Sequence, residues 1–235
     1  MMPSTLPLVG LAHGSRDPRS AAAIEELMLA VAALRPGLRT SAAFLDLSDP
    51  DLPTALARLD VDRAVVVPLL FAQAFHATKD VPDAVQAASR STGTDLITGE
   101  ILGTGPEVLA VLQGVAGAAG VPDDREILLL AVGTSDPVAN AAVDDLAARW
   151  SSARKSGVRA VFATTAPRAV DALDRVDPAG LPALVPLFLA PGLLLDGVAG
   201  RALELGVSVA DPLWPAMAQV VLNRYDAAVT TTSTP

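Results

Sequence analysis

A chain of 235 residues, 51% hydrophobic and 18% charged, has the composition of an ordered globular protein and is long enough for one large domain or two small ones. Its formal net charge of −9 argues against a general nucleic-acid binder, and the absence of cysteine excludes disulfides and thiolate metal sites. No apolar run reaches the roughly 18 residues needed to cross a bilayer, and the first residues lack a basic region followed by a long apolar core, so a cytoplasmic protein with no membrane partner is expected.

In chain order, residues 6–12 form a short apolar run ending at a glycine turn, the pattern of a parallel strand buried on both faces. Asp17-Pro18 then reads as helix cap and first helical residue, opening an alanine-rich helix to about residue 34 that Pro36-Gly37 ends. Residues 39–45 are a second strand, and Asp49-Pro50 opens a short helix to about residue 59. Residues 64–70, almost unbroken valine and leucine, must be a central strand. A loop over 71–79, a helix over 80–90, a weak strand over 95–99 and a helix from Pro106 to about residue 118 follow.

After a linker at Gly120-Val-Pro-Asp-Asp the order recurs. Strands are expected at 127–131, 159–163, 183–188 and 207–210, with helices at 137–155, 167–175, 197–205 and from 215 to about 228, and a frayed tail over 230–235. Gly14 and Gly133 are 119 positions apart, Phe44 and Phe162 118, and Pro68 and Pro186 118. Near-constant offsets across three elements point to duplication of one unit. The expected fold is therefore α/β, with two similar lobes over residues 1–120 and 121–235, each a four-stranded parallel sheet flanked by helices. The commonest order for such a sheet puts the first strand between the second and third, so ligands enter at the carboxyl ends of strands 1 and 3.

Only two histidines occur, and both fall at that crevice: His13 just past the first strand and His76 in the loop after the third. The second lobe acts as a control, since His13 corresponds to Val132, His76 to Leu194 and Asp46 to Thr164. Residues that served only the fold would be needed in both lobes. Two imidazoles and a carboxylate suit an exchangeable divalent metal or a general base near neutral pH, and are too few for a closed structural zinc site. Arg16, Arg19 and Lys79 lie near enough to pair with carboxylates of a ligand, and Ser15 either bonds such a carboxylate or caps the turn. Phe71, Phe75, Leu193 and Leu194 are candidate walls for a flat ring, with ordinary core packing the simpler expectation.

His13-Gly14-Ser15-Arg16 after strand 1, together with Val67-Pro68-Leu69-Leu70-Phe71, His76 and Asp80-Val81-Pro82, resembles the class II chelatases, the sirohydrochlorin cobalt- and ferrochelatases. The resemblance covers the first 120 residues directly and the rest as the degenerate half of a two-lobed form. It implies an ATP-independent lyase that inserts Fe²⁺ or Co²⁺, with Ni²⁺ also tolerated by such ligands, into a carboxylate-bearing tetrapyrrole on the route to siroheme or cobalamin. It implies no organic cofactor, the metal being a substrate, and a monomer, because two fused halves supply what a single-copy relative obtains by dimerising. By motif position His13 and His76 would be the catalytic and metal-binding pair, with Asp46 an auxiliary ligand. Ser15, Arg16, Arg19, Phe75 and Lys79 would bind the tetrapyrrole.

Two departures stand out: Asp46 is shorter than the glutamate many relatives carry, and Ala74 replaces a common glycine. A histidine phosphatase would need arginine where Ala12 stands, and no glycine-rich nucleotide motif follows strand 1. The alternative left open is a non-enzymatic metal or tetrapyrrole carrier using the same histidines.

Overall fold

The computed structural model describes residues 5–72 and 79–232, and the chain divides into two compact units, Met1–Gly103 with Trp214–Pro235, and Thr104–Leu213. The first unit contains β1 (Leu8–Ala12), α1 (Pro18–Leu34), β2 (Thr40–Phe44), α2 (Leu52–Leu59), β3 (Arg63–Pro68), α3 (Val81–Thr92) and β4 (Asp95–Thr98). Its strands are all parallel in the order β2-β1-β3-β4, as expected. Residues Leu8 to Ala12 are buried without exception, and Val65, Val66 and Val67 have no exposed surface. Full burial of such a side chain is worth about 1.5–3 kcal/mol before the entropy of ordering it, which is why these short runs fold as central strands.

Local chemistry sets the helix starts. Asp17 caps α1 by accepting from the Arg19 backbone N–H at 3.0 Å, with Pro18 in the first turn. The cap of α2 is Asp51, which accepts from Thr54 N–H at 2.9 Å, two residues later than the sequence implied. Helices α2 and α3 cover one face of the sheet, where Val9, Leu11, Ala43, Leu56, Val66 and Val81 form a common core. The opposite face is covered by α1 and by α8 (Ala218–Thr232), the last helix of the chain.

That last point corrects the expected division at residue 120. The closing helix of the first repeat, α4 (Pro106–Ala118), belongs to the second unit, while α8, the closing helix of the second repeat, belongs to the first. An apolar helical stripe read from sequence reveals a buried face but not which sheet receives it. Specific polar contacts fix α8 in place. The Tyr225 hydroxyl donates to the Leu6 carbonyl at 2.8 Å, and Arg224 donates to the carbonyls of Ile101 and Leu102, each at 2.9 Å. Arg35, which caps the end of α1, forks onto Asp226, with its Nη2 2.7 Å from Oδ2, and lies over the Tyr225 ring.

The second unit contains, after α4, β5 (Ile127–Ala131), α5 (Pro137–Ser152), β6 (Val158–Phe162), α6 (Ala169–Leu173), β7 (Ala183–Pro186), α7 (Leu193–Glu204) and β8 (Ser208–Val209). Its order, β6-β5-β7-β8, repeats that of the first sheet, again all parallel. Helix α7 begins four residues earlier than expected, so Leu193 and Leu194 open a helix with 70% and 49% of their surface exposed. Core packing of these two leucines is therefore overturned. Among the described residues no helix is long and apolar enough to cross a membrane.

Replacing Tyr225, which is 3% exposed, by phenylalanine leaves the Leu6 carbonyl without its donor and should cost about 1 kcal/mol, read as a lowered midpoint in urea denaturation.

Candidate functional site

Adjacent parallel strands open side by side at their carboxyl ends, and β1 and β2 do so with their pairing continued into the loops. Leu45 N–H donates to the Ala12 carbonyl at 2.9 Å and Asp46 N–H to the His13 carbonyl at 3.0 Å. The backbone thus brings His13 and Asp46 together. His13 is half-buried and Asp46 exposed. The His13 Nδ1 lies 3.4 Å from the Gly14 carbonyl oxygen, and the tautomer that donates there places its lone pair on Nε2.

Gly14 makes this proximity possible. Its φ is +97°, and a Cβ at that position would stand 1.7 Å from the Asp46 carbonyl oxygen. The Asp46 carboxylate accepts from Leu47 N–H at 2.8 Å, and its carbonyl accepts from Ser48 N–H at 2.8 Å, closing a tight turn around Leu47. Ser48 in turn bonds the backbone of Ser15: its Oγ accepts from Ser15 N–H at 3.0 Å and donates to the Ser15 carbonyl at 2.8 Å. The Ser15 hydroxyl accepts from Asp17 N–H at 3.1 Å, the turn-capping role.

The cations expected here separate in kind. The Arg19 guanidinium forks onto Asp17, with Nε 3.0 and 3.1 Å from the two carboxylate oxygens. Arg16 is exposed and makes no ion pair among the described residues. Lys79 is exposed just before α3. Phe71 is half-buried, whereas Phe75 and His76 lie outside the described residues. Among the described residues no three His, Cys, Asp or Glu side chains are grouped to hold a metal ion, so His13 and Asp46 are the part of the expected ligand set that the structure brings together.

The second unit keeps the backbone arrangement and changes the side chains. Thr164 N–H donates to the Val132 carbonyl at 3.0 Å, as Asp46 does to His13, and Gly133 takes φ +85°. Val132 is 42% exposed where His13 stands in the first unit, and the Thr164 hydroxyl donates to the Val132 carbonyl at 2.8 Å. No titratable group remains at these positions. Sequence reading passed over Leu47 and Ser48; the only signal for them is that the loop between Phe44 and Pro50 is one residue longer than that between Phe162 and Pro167.

Electrostatics around the loop centre on Asp17. The Arg19 guanidinium bonded to it holds its carboxyl below the ordinary value of 3.8, and the Thr54 bonds do the same for Asp51. Because these folded values are depressed, their contribution to stability is complete above the unfolded value and is lost as pH falls through the folded one. Urea midpoints should therefore drop as pH is lowered past 3.8, and Asp17→Asn should flatten part of that decline. Gly14→Ala should destabilise by about 3 kcal/mol, through left-handed strain and collision with the Asp46 peptide, measurable by thermal denaturation.

Residues 7–117, a span that includes His13, Asp46 and the β3 motif, match the CbiX family model. A 100-residue stretch, 40% of this chain, is 32% identical to a sirohydrochlorin ferrochelatase of Bacillus subtilis and covers 38% of that protein. An 85-residue stretch, 35% of this chain, is 28% identical to a sirohydrochlorin cobaltochelatase of Methanococcoides burtonii and covers 65% of it. The chain thus matches less than two thirds of the length of either relative. Among solved structures, the sirohydrochlorin chelatase SirB of Bacillus subtilis subspecies spizizenii, in complex with cobalt, has a TM-score of 0.79 over 97% of this chain and 96% of that one. At 19% identity this likeness is one of fold.

Proposed function

We propose, from the match of residues 7–117 to the CbiX family model, that the protein is a sirohydrochlorin chelatase inserting Fe²⁺ or Co²⁺ into the tetrapyrrole without ATP. The observation that carries this reading is the contrast between two equivalent loop pairs. The same backbone bonds bring together His13 and Asp46 in one unit and Val132 and Thr164 in the other, so the titratable side chains are additions to a scaffold that does not require them. The ferro- and cobaltochelatases among the relatives support the same chemistry.

Insertion of M²⁺ releases two pyrrole protons. A neutral imidazole can first ligate the incoming ion and then take up a proton as the metal passes to the macrocycle, and both steps use one nitrogen lone pair. His13 supplies that group at the end of β1, His76 supplies the second by motif, and the Asp46 carboxylate offers a further oxygen ligand. The tetrapyrrole is a polycarboxylate. Arg16, exposed in the loop after β1, and Lys79, exposed just before α3, pair with its side chains, and the Ser15 hydroxyl, already accepting from Asp17 N–H, has a proton to donate to one of them. Arg19 serves chiefly through Asp17, by fixing the start of α1.

Steady-state insertion followed by the absorbance change of sirohydrochlorin, with Fe²⁺ and Co²⁺ compared, tests the reading. Many turnovers per protein above the spontaneous rate are expected, and the preferred metal separates the siroheme route from the cobalamin route. Substoichiometric metal transfer would instead favour the carrier. His13→Ala and His76→Ala should each lower kcat at least about a hundredfold while the circular dichroism spectrum is retained. Full activity in either variant would remove its residue from the mechanism.

A further inference from the structure

Ser48 is neither a ligand nor a base in the proposed reaction, yet its one hydroxyl satisfies both backbone groups of Ser15, the N–H at 3.0 Å and the carbonyl at 2.8 Å. In the second unit the counterpart of Ser15 is Thr134, and its two backbone groups are also satisfied by one side chain. Thr134 N–H donates to Asn140 Oδ1 at 3.0 Å, and Asn140 Nδ2 donates to the Thr134 carbonyl at 2.7 Å. The two latches close on the same peptide groups from different places. Asn140 belongs to α5, the helix that follows its own loop, so that latch is local. Ser48 belongs to the loop after the next strand, so it ties the loop of His13 to the loop of Asp46.

The first unit departs from its repeat to make that reach. In both units the last residue of the edge strand bonds the carbonyl of a following proline, Phe44 N–H to Pro50 at 3.0 Å and Phe162 N–H to Pro167 at 2.9 Å. The span between these anchors is one residue longer in the first unit. The extra length is taken up at Leu47, which adopts φ +61° and leaves 45% of its surface exposed. A leucine in the left-handed region that recovers little burial is a local cost held in place by surrounding bonds. Those bonds are Leu47 N–H to the Asp46 carboxylate and Ser48 N–H to the Asp46 carbonyl, each at 2.8 Å. The strained turn therefore orients the Asp46 carboxylate and delivers the Ser48 hydroxyl to the His13 loop in one motion of the chain.

We propose that Ser48 is a positioning residue for metal transfer, holding the His13 and Asp46 loops at a fixed separation so that both side chains meet the incoming divalent ion. The proposal rests on the chelatase reading for its role in turnover, and on Co²⁺ binding alone for its role in positioning. Ser48→Ala removes the bridge while leaving the strands, the glycine turn and both ligands. It should weaken Co²⁺ affinity, measured by visible absorption titration, by about tenfold and lower kcat by about tenfold, with KM for sirohydrochlorin changed less than about twofold. Ser48→Thr, which keeps the hydroxyl, should restore both values. Asn140→Ala breaks the equivalent latch in the second unit; it should lower the thermal midpoint as Ser48→Ala does, yet leave Co²⁺ affinity and kcat unchanged.

Co²⁺ affinity and kcat at parental level in Ser48→Ala would overturn the positioning role, as would a threonine variant no better than alanine or an equal functional loss in Asn140→Ala. If Ser48→Ala does not fold, the threonine variant decides, since a folded Ser48→Thr with parental affinity supports the latch and one with tenfold weaker affinity overturns it. A parent protein that binds Co²⁺ without inserting it would overturn the chelatase reading alone, and the affinity comparison would still judge Ser48.

Discussion

Strands β1 and β5 are enclosed on both faces, with every residue of each buried, and this confines where either unit can hold polar chemistry. A charged or ligand-binding group inside such a strand would lose its hydration without compensation. The first place a functional side chain can stand is the residue past the carboxyl end, where the backbone turns outward. His13 occupies that position, and Gly14, with no Cβ, lets the loop of the neighbouring strand lie against it. Strand order does the rest: with β1 between β2 and β3, the loops after all three strands open at one end of the sheet.

Within that constraint the two units form a natural comparison. Both retain the glycine at positive φ, the ladder bond that extends beyond the strand pair, and a side chain that satisfies the following backbone residue. These features belong to the fold. Histidine, aspartate and the serine bridge occur only in the first unit, where they replace valine, threonine and a helix-borne asparagine. The shared backbone and the side chains it carries are thus separable layers, and the units differ in a few positions at the loop ends.

Much of the scaffold was legible because its causes are local. The Val65 to Val67 run, the Asp17-Pro18 helix start and the repeat offsets gave the strands, the parallel order and the duplicated architecture. His13 and Asp46 were legible as a pair because the second unit lacks both. Three features were hidden for physical reasons. The destination of α8 depends on which sheet its buried stripe completes; Leu193 and Leu194 carry the hydrophobicity of core residues yet begin a helix facing outward; and the left-handed turn at Leu47 contradicts the propensity of leucine. Each is decided by tertiary structure, where a pattern along the chain carries little information.

The exchange of closing helices also imposes an order in time. During synthesis, all of Thr104–Leu213 emerges before Trp214–Pro235, so the unit without histidines can complete its core while the other still lacks a layer. Until Tyr225 and Arg224 reach the carbonyls of Leu6, Ile101 and Leu102, one face of the β2-β1-β3-β4 sheet lacks part of its cover. The strands that carry the loops of His13 and Asp46 are therefore sealed only after Trp214–Pro235 has been made, later than the core of the other unit.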